Sequence, residues 1–194
     1  GLQSSAIPAG KFGDNVFRIG VFGKLSSYNV SLTKKLLKAI ARVQQKGHRV
    51  ELIHIGSREL KTEQAAQKSG MVEGSYRYFG SMDYAKGMSL LMNVDAFSFV
   101  YCSPTGYGTK IFDYIFLNKP ILLMAYRGTA LGKIVNSFKN GFTCTSTIEY
   151  EKALLHLINS SGKFLDENLR VDDYSRRIQN EKFISLIESI LANK

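Results

Sequence analysis

Apolar and polar residues are arranged along this chain in blocks that predict strands and helices in regular succession. Short apolar runs indicate strands, and each is followed by a segment whose apolar residues recur at helical spacing. The predicted strands cover residues 16–22, 50–55, 76–79, 96–101, 121–125 and 142–145. Several of these runs are apolar throughout, which is typical of parallel strands covered on both faces. The pattern predicts an α/β fold: a single doubly wound, Rossmann-like domain of about six mostly parallel strands with helices on both faces.

The stretch from Tyr101 to Met124 reads as a strand end, a glycine loop, a helix over residues 109–118 and a further strand. Gly106 and Gly108 allow the backbone to turn tightly and to approach a ligand closely. The first turn of the helix, at Thr109 and Lys110, presents N–H groups and the positive end of the helix dipole. This order of elements predicts a site for an anion.

Asp113 lies one turn into this helix and shares a face with Thr109. Helical side chains lean toward the N-terminus, so we expect its carboxylate to point back at the loop. Phosphate at the amides and a diol at the carboxylate would suit a nucleotide. The alternative is that Asp113 only pairs with Lys110 on a solvated face, and the local pattern leaves both interpretations open.

Three predicted strand ends carry loops suited to ligand binding. Ligands of doubly wound sheets bind at the carboxyl ends of the strands. The candidate loops are Gly23-Lys24, Gly80-Ser81 and the loop Thr105-Gly106-Tyr107-Gly108. We therefore expect these residues to surround one site.

Composition narrows the choice of partner. The 194 residues carry a net charge of +10, which favours anionic partners. The lysines and arginines are dispersed and form no stripe with aromatic residues, so nucleic acid is not expected as a partner. No apolar run approaches the roughly 20 residues of a membrane span. The two cysteines and three histidines show no metal-ligand spacing.

Several catalytic and nucleotide motifs fail on inspection. Gly106-Tyr107-Gly108 lacks the third glycine of a dinucleotide fingerprint. Gly128 to Lys133 is one residue short of a phosphate-binding P-loop, and Ile134 stands where a serine or threonine must hold magnesium. The chain contains no Asp-x-Asp and no Gly-x-Ser-x-Gly. These failures argue against redox, P-loop and serine-hydrolase chemistry.

The segment from Thr105 to Leu122, with Lys110, Asp113 and Tyr114 followed by Asn118-Lys119-Pro120, resembles the donor-binding half of GT-B glycosyltransferases of the group-four and group-one type. Gly23-Lys24 is similar to a Gly-Arg/Lys pair that follows the first strand in that family. The element order is similar over roughly residue 17 to the C-terminus, whereas the specific residue match lies mainly in Thr105–Leu122.

The resemblance implies roles for particular residues. In that family the acidic residue at the position of Asp113 binds the ribose hydroxyls, and the N-terminus of the helix that carries it binds the diphosphate. The basic residue at the position of Lys24 contacts phosphate. Many members carry a glutamate for the donor sugar where this chain has Thr105, and a second lysine where it has Asn29. The resemblance also implies a UDP- or GDP-linked sugar donor and retention of stereochemistry. We expect no metal or other cofactor, because the helix N-terminus and Lys24 can hold the diphosphate and the chain contains no Asp-x-Asp.

The resemblance further implies a domain plan. Residues 1–15 are expected to be a linker or interdomain entry segment, and residues 16–194 the donor-nucleotide domain, without the N-terminal acceptor domain. The whole enzyme is expected in the cytoplasm, with possible peripheral contact to the inner membrane face. Its acceptor would be a glycan or lipid-linked molecule in bacterial surface polysaccharide synthesis, and this fragment alone would be inactive. The alternatives are a sugar-nucleotide epimerase of the same architecture and a non-catalytic nucleotide-binding module.

Overall fold

Six strands and six helices alternate in a computed structural model, which describes residues 15–106, 108, 110–160, 181, 184–185 and 188–189. The strands are β1 (Phe17–Phe22), β2 (Val50–Ile55), β3 (Tyr76–Tyr78), β4 (Ala96–Tyr101), β5 (Ile121–Ala125) and β6 (Gly141–Cys144). All neighbouring strands pair in parallel. They form one sheet in the order β3-β2-β1-β4-β5-β6.

The helices cover both faces of this sheet. They are α1 (Val30–Gln45), α2 (Leu60–Lys68), α3 (Tyr84–Leu91), α4 (Lys110–Phe116), α5 (Ala130–Asn136) and α6 (Thr147–Asn159). Buried residues of α1, α2 and α6 form one apolar cluster with the sheet. Those of α3, α4 and α5 form a second cluster. The predicted doubly wound α/β architecture is therefore confirmed.

Strand β1 lies at the point where the strand order reverses. It pairs with β2 along its whole length but with β4 only at Ile19 and Gly20. Beyond Gly20 the two strands diverge, and a crevice opens between their carboxyl ends. In doubly wound sheets this switch point is where ligands bind.

Helix α4 ends at Phe116, two residues earlier than the sequence pattern predicts. Asn118 adopts the left-handed conformation, with φ of 47°. Its N–H donates to the carbonyl of Ile115 at 2.9 Å, which closes the end of the helix. The Lys119 ammonium then donates to the carbonyls of Met92 and Val94 at the end of α3. The Asn-Lys-Pro sequence therefore joins α3 and α4 in addition to ending the helix.

None of the helices in the described part of the chain combines the length and the apolar character needed to cross a membrane.

Candidate functional site

A cavity of about 70 Å³ opens at the switch point between β1 and β4. Three of its lining residues belong to the predicted site: Lys24, Gly108 and Lys110. Aromatic and aliphatic side chains form the remaining walls: Phe22, Tyr28, Phe99, Val100, Tyr101, Ile111 and Tyr114. The structure thus brings the loop after β1 and the start of α4 to one place, as expected from the topology.

The backbone of Phe22 explains how α4 is fixed at this site. Strand β4 has diverged at this point, so the N–H and C=O of Phe22 have no ladder partner on that side. The Phe22 N–H donates instead to the Tyr114 hydroxyl at 3.0 Å. The Phe22 carbonyl accepts from the Lys110 ammonium at 2.9 Å. Because Lys110 and Tyr114 lie one turn apart on α4, this helix satisfies both groups.

Lys110 is a half-buried cation at the cavity wall. Its ammonium also lies 4.5 Å from the centre of the Phe22 ring, where the π face attracts a cation. Burial lowers the pKa of Lys110, Asp113 acts in the opposite direction, and the positive charge of Lys24 lowers it further. The two lysines therefore repel each other across the cavity, and an anion between them would relieve that repulsion.

Gly23 is required by its backbone conformation and by its neighbour. Its φ of 123° lies in the region that favours glycine. A Cβ atom at this position would collide with the Lys110 ammonium. Gly23 therefore allows Lys110 to reach the end of β1.

The side chain of His54 stabilises the turn at Gly23. It is buried, and its Nε2 lies 2.8 Å from the Gly23 carbonyl. A carbonyl only accepts, so Nε2 carries the proton, and Nδ1 accepts from the Tyr76 hydroxyl at 2.7 Å. Burial lowers the pKa of His54. The neutral imidazole thus links β2 to the loop that holds Lys24.

The loop after β1 already contains an anion of the chain itself. The buried carboxylate of Glu59 accepts from the N–H groups of Leu25 and Ser27, each at 2.7 Å, and from that of Ser26 at 3.3 Å. Burial acts to raise the pKa of Glu59, but hydrogen bonds from Ser27 and Leu25 outweigh it and the pKa is lowered. These amides are therefore occupied, and recognition of an external anion in this loop falls to Lys24.

Asp113 is half-buried on α4, three residues beyond Lys110. Among the ion pairs formed within the described residues, none joins Asp113 to Lys110, whose ammonium is directed to Phe22 instead. The simple surface pair considered from the sequence is therefore absent, while the attraction between the two charges persists. Asp113 stands beside the cavity and is not one of its lining residues.

The other predicted residues lie around the same edge of the sheet without lining the cavity. Gly106 donates its N–H to the Ser103 hydroxyl at 3.0 Å, and a Cβ there would press on the Tyr101 hydroxyl group. Thr105 is exposed in this loop. Gly80 and Ser81 follow β3, two strands away from the switch point. Tyr107 and Thr109 lie outside the described residues.

Sequence reasoning missed the supporting residues. Tyr28 and Tyr101 form a tilted ring pair, with centroids 6.1 Å apart, at the cavity wall. Asn29, where the resemblance would place a second lysine, caps α1 by accepting from the Leu32 N–H at 2.9 Å. An asparagine at the start of an apolar-periodic helix is a cap signal, so its role was open to prediction. The described residues contain no group of three or more histidine, cysteine or acidic side chains placed to hold a metal ion.

No protein-family model and no curated protein matches the sequence. Solved structures do match the fold. A glycosyltransferase from Rickettsia africae superposes with a TM-score of 0.68 at 15% identity, over 93% of this chain and 49% of that chain. The Anabaena protein HepE in complex with UDP and glucose superposes with a TM-score of 0.64 at 19% identity, over 93% of this chain and 49% of that one.

A third match fixes which part of such a protein this chain corresponds to. It is the C-terminal domain of a group 1 family glycosyl transferase, LpcC, from Francisella tularensis, with a TM-score of 0.59 and 17% identity. The match covers 80% of this chain and 83% of that domain. The chain has the fold of a GT-B C-terminal domain. The resemblance that begins at Thr105 is thus confirmed for the fold.

The GT-B fold of this chain is shared by proteins of more than one activity. A putative UDP-N-acetylglucosamine 2-epimerase from Listeria monocytogenes superposes with a TM-score of 0.61 at 11% identity, over 94% of this chain and 47% of that chain. The GT-B domain described here spans about half the length of such matched proteins. At these identities the likeness is one of fold.

Proposed function

We propose that this chain is the nucleotide-sugar-binding half of a glycosyltransferase that transfers a sugar from a nucleoside-diphosphate donor to a glycan or lipid-linked acceptor. The observation that carries the proposal is the cavity at the switch point, where Lys24 and Lys110 lie beside Gly108. Two lysines that repel each other in a half-buried cleft form a site for a multiply charged anion such as a diphosphate.

The surrounding residues suit the rest of a nucleotide. Gly108 has no side chain, so its backbone is open to close approach by phosphate. The N-terminal end of α4, at Lys110, adds the positive end of a helix dipole. The rings of Tyr28 and Tyr101 offer flat apolar surface to a base or a sugar. We assign the ribose hydroxyls to Asp113, one turn along the same helix.

The diphosphate site consists of lysines, so we predict that UDP or GDP binds without a metal ion. Calorimetric titration in the presence of a chelator is expected to show binding, weak in a chain that supplies only half of a two-domain cleft. Lys24→Ala is expected to weaken it, because one of the two charges is removed, whereas Lys133→Ala on α5 is the matched exposed control. Binding that appears only after magnesium or manganese is added would contradict the proposal, and a short oligonucleotide tests the nucleic-acid alternative.

The proposal places the acceptor site elsewhere in a longer protein. The chain matches about half the length of its structural neighbours. We propose that residues 1–15 lead in from an N-terminal acceptor domain, and that the whole enzyme works in the cytoplasm on bacterial surface polysaccharide. Expression of a longer protein with an added N-terminal domain and an assay for transfer from UDP- and GDP-sugars test this assignment.

Epimerisation of a UDP-sugar is a second candidate, supported by the epimerase of the same fold. Epimerisation needs groups that remove and return protons, usually histidine or carboxylate. Within the described part of the chain, no histidine, aspartate or glutamate lines the cavity. Incubation of the longer protein with UDP-N-acetylglucosamine separates the two activities: a 2-epimer without an acceptor supports the epimerase, and a glycoside supports the transferase. Nucleotide binding with neither product supports a non-catalytic module.

A further inference from the structure

A second anion-attracting feature lies on another surface, in a groove between α1 and α2. The groove encloses about 480 Å³ and is lined by four lysines, Lys34 and Lys38 from α1 and Lys61 and Lys68 from α2. All four are exposed. Among the residues that the structure describes, no aspartate or glutamate lines the groove.

The charge of this groove is not balanced by the helices that form it. None of the ion pairs that the described residues form includes any of the four lysines. The acids of α2 are engaged elsewhere, since Glu59 accepts from backbone amides and Glu63 pairs with Arg58 at 2.9 Å.

The opposite flank of α1 shows the contrast. There the carboxylate of Glu151 pairs with Arg42 at 2.8 Å and with Lys46 at 2.7 Å. Basic residues of α1 thus have an internal counter-charge on the α6 side and none on the α2 side. The groove is left with a positive charge that a partner can neutralise.

Apolar groups accompany the lysines. Val30 and Ala65 line the groove together with the lysines. Leu60, the first residue of α2, is 60% exposed beside Lys61 and one turn from the groove residue Gln64. None of the described lining residues is aromatic, so these residues offer no ring on which a nucleic-acid base could stack. A groove lined by lysines, with an exposed leucine next to one of them in the chain, suits an interface where anionic headgroups lie next to hydrocarbon.

We propose that the groove between α1 and α2 is a docking surface for the anionic phospholipid headgroups of a membrane. The lysines bind the headgroup phosphates, and Leu60 enters the boundary with the acyl chains. Val30 opens α1 directly after the loop that holds Lys24, so the groove begins at the same end of the sheet as the switch-point cavity. Docking would therefore hold that cavity near the membrane. The proposal is independent of which nucleotide, if any, the cavity binds.

Sedimentation with lipid vesicles tests the proposal. The chain is expected to bind vesicles that contain phosphatidylglycerol and not those of phosphatidylcholine alone, and added salt should weaken binding. In the groove variant four lysines become glutamine: Lys34, Lys38, Lys61 and Lys68. We expect it to bind roughly tenfold more weakly or worse, because each lysine near an anionic surface strengthens binding about fivefold.

A control variant carries the same loss of charge on the other face of the sheet or at its edge. Its four substitutions to glutamine are at Lys86, Arg127, Lys133 and Lys139. Equal weakening in the groove and control variants would overturn the proposal, because general charge attraction would then explain the binding. Thermal unfolding and circular dichroism of both variants check that the fold is intact.

Leu60→Ser separates a membrane from other polyanions. It is expected to weaken vesicle binding and to leave any binding to an oligonucleotide or to polyglutamate unchanged. If Leu60→Ser has no effect on vesicles, or if the groove variant loses binding only to the soluble polyanions, the membrane assignment is wrong and the groove is a site for an acidic polymer.

Discussion

Asp113 and Lys110 lie one turn apart on α4 but differ in the contacts that their side chains make with the rest of the protein. Lys110 already donates to the Phe22 carbonyl and packs over the Phe22 ring, so its replacement would disturb the fold as well as any ligand. The carboxylate of Asp113 makes no hydrogen bond or ion pair to another described residue. Substitution of Asp113 is therefore the cleaner probe of the proposed site.

Asp113→Asn is predicted to weaken UDP binding while thermal stability stays unchanged. A neutral amide would replace the charged acceptor of two ribose hydroxyls, and loss of a hydrogen bond to a charged group costs roughly 1.5–3 kcal/mol. Calorimetry with UDP measures the loss. The matched ligand is 2′,3′-dideoxy-UDP, for which the substitution should matter little. The same loss for both ligands would show that Asp113 acts through Lys110 or through the fold.

His54 predicts a particular dependence of stability on pH. Its pKa in the folded protein is lowered from the ordinary value of 6.5, so the unfolded chain takes up a proton at a higher pH than the folded one. The contribution of His54 to stability is therefore fully present above pH 6.5 and is lost as the pH falls toward the lowered folded-state pKa.

Denaturant unfolding between about pH 7.5 and pH 5.5 checks this prediction. The free energy of unfolding should fall with decreasing pH in the parent and less steeply in His54→Gln, whose amide can donate to Gly23 and accept from Tyr76. The pKa of the Glu59 carboxyl group is lowered, so this group titrates below the pH range of the measurement. Identical slopes in the two proteins would mean that His54 does not titrate on unfolding.

At the scale of elements, α4 is placed by its contacts with β1. The centre of the site depends on the divergence of β1 and β4, because that divergence leaves the polar groups of Phe22 for α4 to satisfy. The buried ring of Tyr114 also stacks on Phe97 of β4, with centroids 4.2 Å apart. One helix thus contacts both strands of the switch point.

Tyr114→Phe is predicted to destabilise the fold by about 1–3 kcal/mol, since it leaves the part-buried Phe22 N–H without its acceptor and keeps the stacked ring. Chemical denaturation measures the change. Tyr28→Phe is the control: its ring is 45% exposed, and the expected change is within about 0.5 kcal/mol. If both variants unfold alike, the Phe22 bond to Tyr114 adds nothing to stability.

The succession of elements could be predicted from the sequence because most strands are largely apolar and lie next to a glycine or a polar loop. A helix between β4 and β5 was evident for the same reason. The end of α4 was not, because Asn118 adopts a left-handed conformation that asparagine only sometimes takes. The contacts of Phe22 could not be predicted either, because its partners lie 88 and 92 residues away in the sequence. Side chains that serve backbone groups of distant elements leave no local pattern.

At the scale of the whole molecule, the chain corresponds to one domain of longer proteins. Its match to an isolated C-terminal domain is nearly reciprocal in coverage, at 80% and 83%. When the chain is superposed on longer proteins, it covers less than half of their length. The described elements complete one sheet with helices on both faces, and this sheet presents a single switch point.

This chain alone is predicted to transfer no sugar to an acceptor. Transfer needs the acceptor held against the anomeric carbon of the donor, and positioning supplies much of the rate. Under the proposed function the cavity residues grip the nucleotide, and among the lining residues that the structure describes none is an evident base. A radiolabelled-donor assay with the purified chain and glycan acceptors checks this, and glycoside formation would contradict it. Slow hydrolysis of the donor to water would not, because a bound diphosphate can leave without an acceptor.

The position of β1 in the middle of the sheet has a consequence for synthesis on the ribosome. Strands β1, β2 and β3 emerge first and can pair with one another, but the second edge of β1 waits for β4, which begins at Ala96. Until then this edge presents unpaired backbone groups between apolar side chains, the surface that promotes aggregation. A nascent chain that stalls before Ala96 lacks β4, so its partial sheet keeps one edge of β1 unpaired. The second half of the chain therefore protects the first half from aggregation, because β4 pairs with the open edge of β1 and completes the sheet.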